Sequence, residues 1–207
     1  MMGQAGMAEA AVRYLRSARA TAAEPVEALP RPELRCVRGD ERAPLDQREF
    51  RRVLGTFATG VTVVTAPPTG TESSPAGFAC QSFTSLSLDP PLVAFMVART
   101  STTWPRIARA GVFCVNVLAA DQAGLCRAFA ASGTDKFAGV RYDAAPVSGS
   151  PRLADTAAWI DCTIHAVHPG GDHVIVVGRA TALGPPEQNP PRSPLLFHRG
   201  HFTHLQP

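Results

Sequence analysis

From Ile160 to Ala166 the even positions carry Ile, Cys, Ile and Ala, while Asp, Thr and His stand between them. A period of two lays the apolar side chains on one face of an extended strand, and that face must be buried. Pro169-Gly170-Gly171-Asp172 then reads as a hairpin turn, and His173–Leu183 as the returning strand. Further strands are expected upstream at Val61–Thr65, β-branched throughout, at Ala76–Ser82, at Leu92–Ala98 and at Val112–Leu118. A last segment, Pro194–His204, could close the sheet. Hairpins in series, with no sustained strand–helix–strand rhythm, favour an antiparallel barrel over a parallel α/β sheet.

Three short helices interrupt the strands. The first is expected to start at Asp46, with Glu49 completing a capping box, to show Phe50, Val53, Leu54 and Phe57 on one face, and to end at Gly60. The second begins at the hydroxyl run Ser101–Thr103 with Pro105 in its first turn and stops at Gly111. The third is capped by Asp121 and carries Leu125 and Phe129. Residues 1–44 are rich in Ala, Arg, Glu and Pro without a lasting period, so they read as a flexible extension of a single domain over residues 45–207. Gly and Pro number 17 and 19, too few for a low-complexity chain and enough to punctuate many short elements.

Several function classes fall away. The 20 basic and 17 acidic residues nearly balance, which argues against nucleic acid as a partner. Leu92–Ala98, the longest apolar run, is far short of the roughly 20 residues a spanning helix needs, so no membrane association is expected. The five cysteines are odd in number and never spaced C-x-x-C, and arginines break the N-terminal apolar stretch. A reducing cytoplasm fits, without disulfides or structural zinc. No G-x-G triplet exists, which excludes the Rossmann fingerprint, and Gly55 to Gly60 has P-loop spacing but continues Val-Thr in place of Lys-Ser/Thr. His198, His201 and His204 recur at a spacing that splits them between strand faces, so no metal site is expected. Asp161, His165 and His168 share one strand and form no triad.

Two clusters point to a ligand. Between Ser73 and Ala120 the only acid is Asp89, whereas Arg99, Arg106 and Arg109 lie in or beside the hydroxyl-rich helix start, a pattern suited to a phosphate. Buried strands and plain helix caps would give the same composition. The second cluster, Gly77-Phe-Ala-Cys-Gln-Ser-Phe-Thr-Ser85, sets small and hydroxyl residues after a strand, where a planar ligand could approach the backbone. A Ser/Thr-rich loop over a core is the other reading. Cys80 reads as a small buried filler, and Trp104 and Trp159 as core or dimer-contact residues.

Seven blocks in unbroken order carry a resemblance. They are Val53-Leu54-Gly-x-Phe57-x-Thr59-Gly60-Val-Thr62-Val-Val-Thr65, Gly77-Phe-Ala-Cys-Gln-Ser-Phe83, Ser87-Leu-Asp-Pro-Pro-Leu92, Phe113-Cys-Val-Asn-Val-Leu118, Asp135-Lys-Phe-Ala-Gly139, Gly171-Asp-His173 and Pro194-Leu-Leu-Phe197-x-Arg199-Gly200. Together they resemble the short-chain flavin reductase family, and the second block is most similar to reductase components of two-component hydroxylases acting on a steroid-derived phenol in bacteria. The resemblance implies a mainly β protein with short helices, an antiparallel split β-barrel (the FMN-binding split barrel), assembled as a homodimer. It implies hydride transfer from NADH, with NADPH as the alternative, to FAD or FMN, and release of reduced flavin to a separate oxygenase.

The family likeness also assigns residues. Gly77, Phe78, Ala79, Gln81 and Ser82 would line the flavin ring and ribityl chain; Met96, Val97, Ala98, Thr102 and Thr103 would hold the phosphate end, with Phe129 nearby. Gly171, Asp172 and His173, with Phe197, His198, Arg199 and Gly200, would meet the nicotinamide nucleotide, and His173 would act in positioning or charge stabilisation. A solvent-facing turn histidine is the alternative for His173. Two positions depart from the common family pattern: Gln81 stands where Asn is usual, and His198 where an aromatic is usual. A non-catalytic flavin- or haem-binding split-barrel protein and a pyridoxamine-phosphate-oxidase-like enzyme are the competing readings.

Overall fold

A computed structural model describes residues 45–133, 135–184 and 192–205; the proposed extension over 1–44 lies outside them. Seven strands form one antiparallel sheet in the order β3-β2-β6-β9-β10-β5-β4. In chain order these are β2 (Thr62–Ala66), β3 (Ala76–Cys80), β4 (Thr84–Leu88), β5 (Pro91–Ala98), β6 (Val112–Val117), β9 (Ala158–Gly170) and β10 (His173–Gly184). Antiparallel β-structure with short helices is thus the architecture, as the alternation and hairpin signals predict. The hairpin turns on Gly171 and Asp172, with His173 paired to Gly170, and Gly171 takes φ +70°, a conformation that glycine adopts without cost.

The two edge strands are consecutive in the chain. β3 lies on one edge and β4 on the other, and only Gln81, Ser82 and Phe83 separate them. Four Cα–Cα steps span at most about 14 Å, so the sheet must curl until its edges nearly meet. Ser82 helps close the seam: its hydroxyl accepts from Met96 N at 2.9 Å and donates to Met96 O at 3.0 Å, a side chain standing in for the next rung of the β4–β5 ladder. Inside the curl, Phe95, Phe113, Val64, Val176 and Ile107 are fully buried, and Phe95 meets Phe113 edge-on at 5.2 Å.

A second core, with Val63, Leu118, Phe129 and Leu195, lies under a separate three-stranded sheet. That sheet joins β1 (Thr59–Gly60), β11 (Leu196–His198) and β12 (His201–Thr203). The C-terminal segment therefore does not extend the main sheet as expected; Leu195 instead bridges Val61 and Leu118 through backbone hydrogen bonds of 3.1 and 2.8 Å. A further pair, β7 (Tyr142–Ala144) and β8 (Pro151–Leu153), completes the strands among the described residues. Among the described residues no helix is long and apolar enough to cross a membrane.

The helices depart from expectation at their ends. α1 (Gln47–Leu54) is capped by Asp46, but Glu49 turns away to Arg52 at 2.6 Å, so no capping box forms, and Gly55 ends the helix five residues before Gly60. Its apolar residues Phe50, Val53 and Leu54 stay 52–54% exposed. In α2 (Trp104–Ala110) Trp104 N donates the capping hydrogen bond to the Ser101 hydroxyl, and Thr103 makes none. In α3 (Ala123–Ala130) Asp121 does not cap; it pairs with Arg192 at 2.8 Å. The strand alternation also breaks at Asp161, which is fully buried because the 147–148 backbone covers it and donates two hydrogen bonds of 3.0 Å to its carboxylate.

Candidate active site

Two adjoining clefts open where the sheet edges approach. The larger, about 880 Å³, has Gly77, Phe78 and Ala79 of β3 on one side, with Ala98, Thr102 and Thr103 after β5 on another. Phe129, Ala130, Lys136 and Phe137 close its far wall. The smaller, about 590 Å³, is lined by Gln81, Ser82, Met96, Val97 and His173. Phe78, Ala79, Ala98 and Ser101 border both. The combined space suits a nucleotide-sized organic ligand.

Small residues in the wall have a steric cause. A Cβ on Gly77 would stand 2.7 Å from the Phe129 ring, so only glycine lets α3 lie against β3. Lys136 fastens the same junction: its ammonium donates to Phe129 O at 2.9 Å and to Gly77 O at 3.3 Å. The first of these acceptors lies in the last turn of α3, where a cation satisfies an otherwise unpaired carbonyl. Burial lowers the Lys136 pKa, and no carboxylate pairs with it among the described residues. Lys136 is not among the expected site residues, although it is the only lysine of the chain and stands in the Asp135-Lys-Phe-Ala-Gly139 block.

The arginines do not form the open cationic patch that composition suggested. Glu72, one residue outside the acid-poor stretch, takes Arg106 at 3.1 Å and Arg109 at 3.0 Å. Burial works against the charged carboxylate, but the hydrogen bonds and charges of the two arginines outweigh it and hold Glu72 below its ordinary pKa. Arg99 turns to the hairpin, donating from Nε to Gly171 O at 2.9 Å. Of the three, Arg106 lines the larger cleft. Cys80 borders the smaller cleft with its thiol pKa raised by burial, which makes it a filler and a poor nucleophile.

His173 sits where β10 begins, half-exposed, with Nδ1 2.7 Å from Asp172 Oδ1. A carboxylate only accepts, so the Nδ1–H donates and Nε2 is left for a ligand. Asp172 is held below its ordinary pKa by that hydrogen bond, by the His173 charge and, more weakly, by Arg51 of α1. Gly171 and Asp172 are outside the cleft lining but position its histidine. Phe197, His198, Arg199 and Gly200 are not brought into either cleft: Phe197 packs on Phe202 at 5.5 Å, and Arg199 N donates to Gly55 O at 2.8 Å. Among the described residues no His/Cys/Asp/Glu group could hold a metal ion.

A family model, the flavin reductase like domain, matches residues 54–206. The chain belongs to the flavin reductase-like family. Within that family it is 47% identical over 163 residues to the reductase subunit HsaB of a flavin-dependent monooxygenase from Rhodococcus jostii (strain RHA1), covering 79% of this chain and 80% of the relative. Among solved flavin reductase-like structures, nitrilotriacetate monooxygenase component B from Mycobacterium thermoresistibile is 48% identical with a TM-score of 0.72, over 78% of this chain and 87% of that one. The NADH:FAD oxidoreductase of Streptomyces globisporus, solved with NAD and FAD fragments, is 37% identical with a TM-score of 0.72, over 80% and 98%.

Proposed function

We propose that this flavin reductase-like protein is the NADH-dependent reductase component of a two-component monooxygenase. It takes hydride from NADH onto FAD or FMN and passes reduced flavin to a separate oxygenase. The observation that carries this reading is the shared wall of the two clefts: Phe78, Ala79, Ala98 and Ser101 border both the long cleft and the one holding His173. A ring lying across that wall has one end among hydroxyls and cations and the other beside the histidine.

When bound, flavin supplies the hydride-accepting ring, and this chain supplies position and electrostatics. Gly77, Ala79 and Ala98 let a planar group approach the backbone. Ser82, with both Met96 backbone groups on its hydroxyl, fixes the seam beside the ligand, while Gln81 offers an uncommitted amide among the described residues. Thr102 and Thr103 offer hydroxyls to the phosphate end. His173, oriented by Asp172, holds the nicotinamide or the negative charge that develops on reduction.

A split-barrel description fits the curled sheet, and a homodimer fits the exposed apolar face of α1. A cytoplasmic setting fits the free, buried thiols of Cys80, Cys114, Cys126 and Cys162. A steroid-derived phenol as the oxygenase's substrate rests on the wording of residues 77–83 and the HsaB similarity. The test is direct: protein, NADH and FAD or FMN are mixed and the NADH absorbance followed. Catalytic loss of that band is expected, and flavin binding without NADH oxidation would make the chain a carrier, overturning the proposal.

A further inference from the structure

Glu72 lies in the loop between β2 and β3, outside every motif of the sequence, and its carboxylate is shared by two arginines of one helix. Arg106 Nε reaches Glu72 Oε2 at 3.1 Å, and Nη2 donates to Ser74 O at 2.6 Å and Pro75 O at 3.3 Å. Three hydrogen bonds therefore fix the guanidinium against the loop, and Nη1 makes none among the described residues. Arg109 Nη1 holds the second carboxylate oxygen at 3.0 Å. Ser74, Pro75 and Arg106 all line the larger cleft, beside Ser101, Thr102 and Thr103. The cluster is half-shielded, with 23% of the Glu72 side chain and 30% of that of Arg106 exposed.

We propose that Arg106 is the phosphate-recognising cation of this cleft and that Glu72 positions it and limits its pull. The proposal rests on the flavin reading and adds to it a charge-setting residue. A fixed guanidinium loses little freedom when it meets a phosphate oxygen, which favours binding. Two arginines and one carboxylate sum to one positive charge, so a phosphorylated ligand is attracted without being held so tightly that a product flavin cannot leave. That balance suits a protein whose product must depart for a second enzyme.

Riboflavin, FMN and FAD share one ring system and differ in phosphate, so their dissociation constants, read from flavin fluorescence on the full chain, isolate the phosphate contribution. Arg106→Gln is expected to weaken FMN and FAD about tenfold and riboflavin less than about twofold. Glu72→Gln, which keeps the side-chain shape and lifts one negative charge, is expected to tighten FMN and FAD about threefold to fivefold, with a gain that fades in high salt. Glu72→Asp is expected to keep the wild-type ratio of FMN to riboflavin affinity. Equal shifts for all three flavins, or none, in Glu72→Gln would reduce the cluster to a loop brace and overturn the proposal even if Arg106→Gln fails to fold. Failure of the unaltered protein to bind any flavin would instead overturn the flavin reading, and the proposal with it.

Discussion

His173 has one ring nitrogen committed and one available, and the commitment is local: Asp172 is its chain neighbour, 2.7 Å away. Removing the ring by His173→Ala is expected to lower kcat/KM for NADH on the order of tenfold while leaving flavin affinity unchanged, measured by steady-state kinetics and flavin titration. Asp172→Asn keeps the size but lets an amide nitrogen face Nδ1; a smaller loss of the same sign is expected, and wild-type kinetics in both variants would remove the pair from the site. The histidine was legible because its Gly-Asp-His turn is contiguous in sequence. Glu72 was not, because it meets Arg106 across 34 residues, and only the folded loop makes that acid the partner of the arginines. Lys136 stands in one of the seven blocks, but its role was hidden for a similar reason, since its acceptors are backbone carbonyls that carry no sequence signature.

At the scale of elements, the β9–β10 hairpin was the most legible part, and its irregularities the least. Register shifts fall between Val177 and Gly178 and between Ala180 and Ala182, and at the first of them a Cβ on Gly178 would overlap the Phe113 ring. Phe113 is fully buried among Phe95 and its neighbours and cannot move aside cheaply. Gly178→Ala is therefore expected to cost about 1–3 kcal/mol, read as a lower denaturant midpoint at unchanged slope. Alternation failed at Asp161 because period counting sees one strand's two faces and not the loop that folds over one of them. Helix α1 shows the reverse: Phe50, Val53 and Leu54 keep the expected apolar period while Phe57 falls beyond the helix end, and the described residues of the chain leave that face uncovered.

For the whole molecule, that uncovered face is the feature that a second copy would satisfy. Phe50, Val53 and Leu54 are joined by Phe57 at 76% exposure, a patch that a soluble monomer seldom leaves bare. Under the homodimer reading, the double change Val53→Glu with Leu54→Glu is expected to shift the assembly toward monomer in light scattering, with the fold retained by circular dichroism. A dimer that survives would place the contact elsewhere. Serial hairpins favour a barrel, but which edges approach was not legible from strand signals, which give strands and turns alone. What produces the curl is the short link Gln81–Phe83, crossing from one sheet edge to the other beside the cleft. The aperture of the binding mouth is consequently bounded by a count of residues, three in this chain, with the Ser82 hydroxyl pinning the crossing to Met96. Inserting or deleting one residue at that crossing is therefore the change expected to resize the opening, since the β2–β3 and β4–β5 ladders are set by pairings outside it.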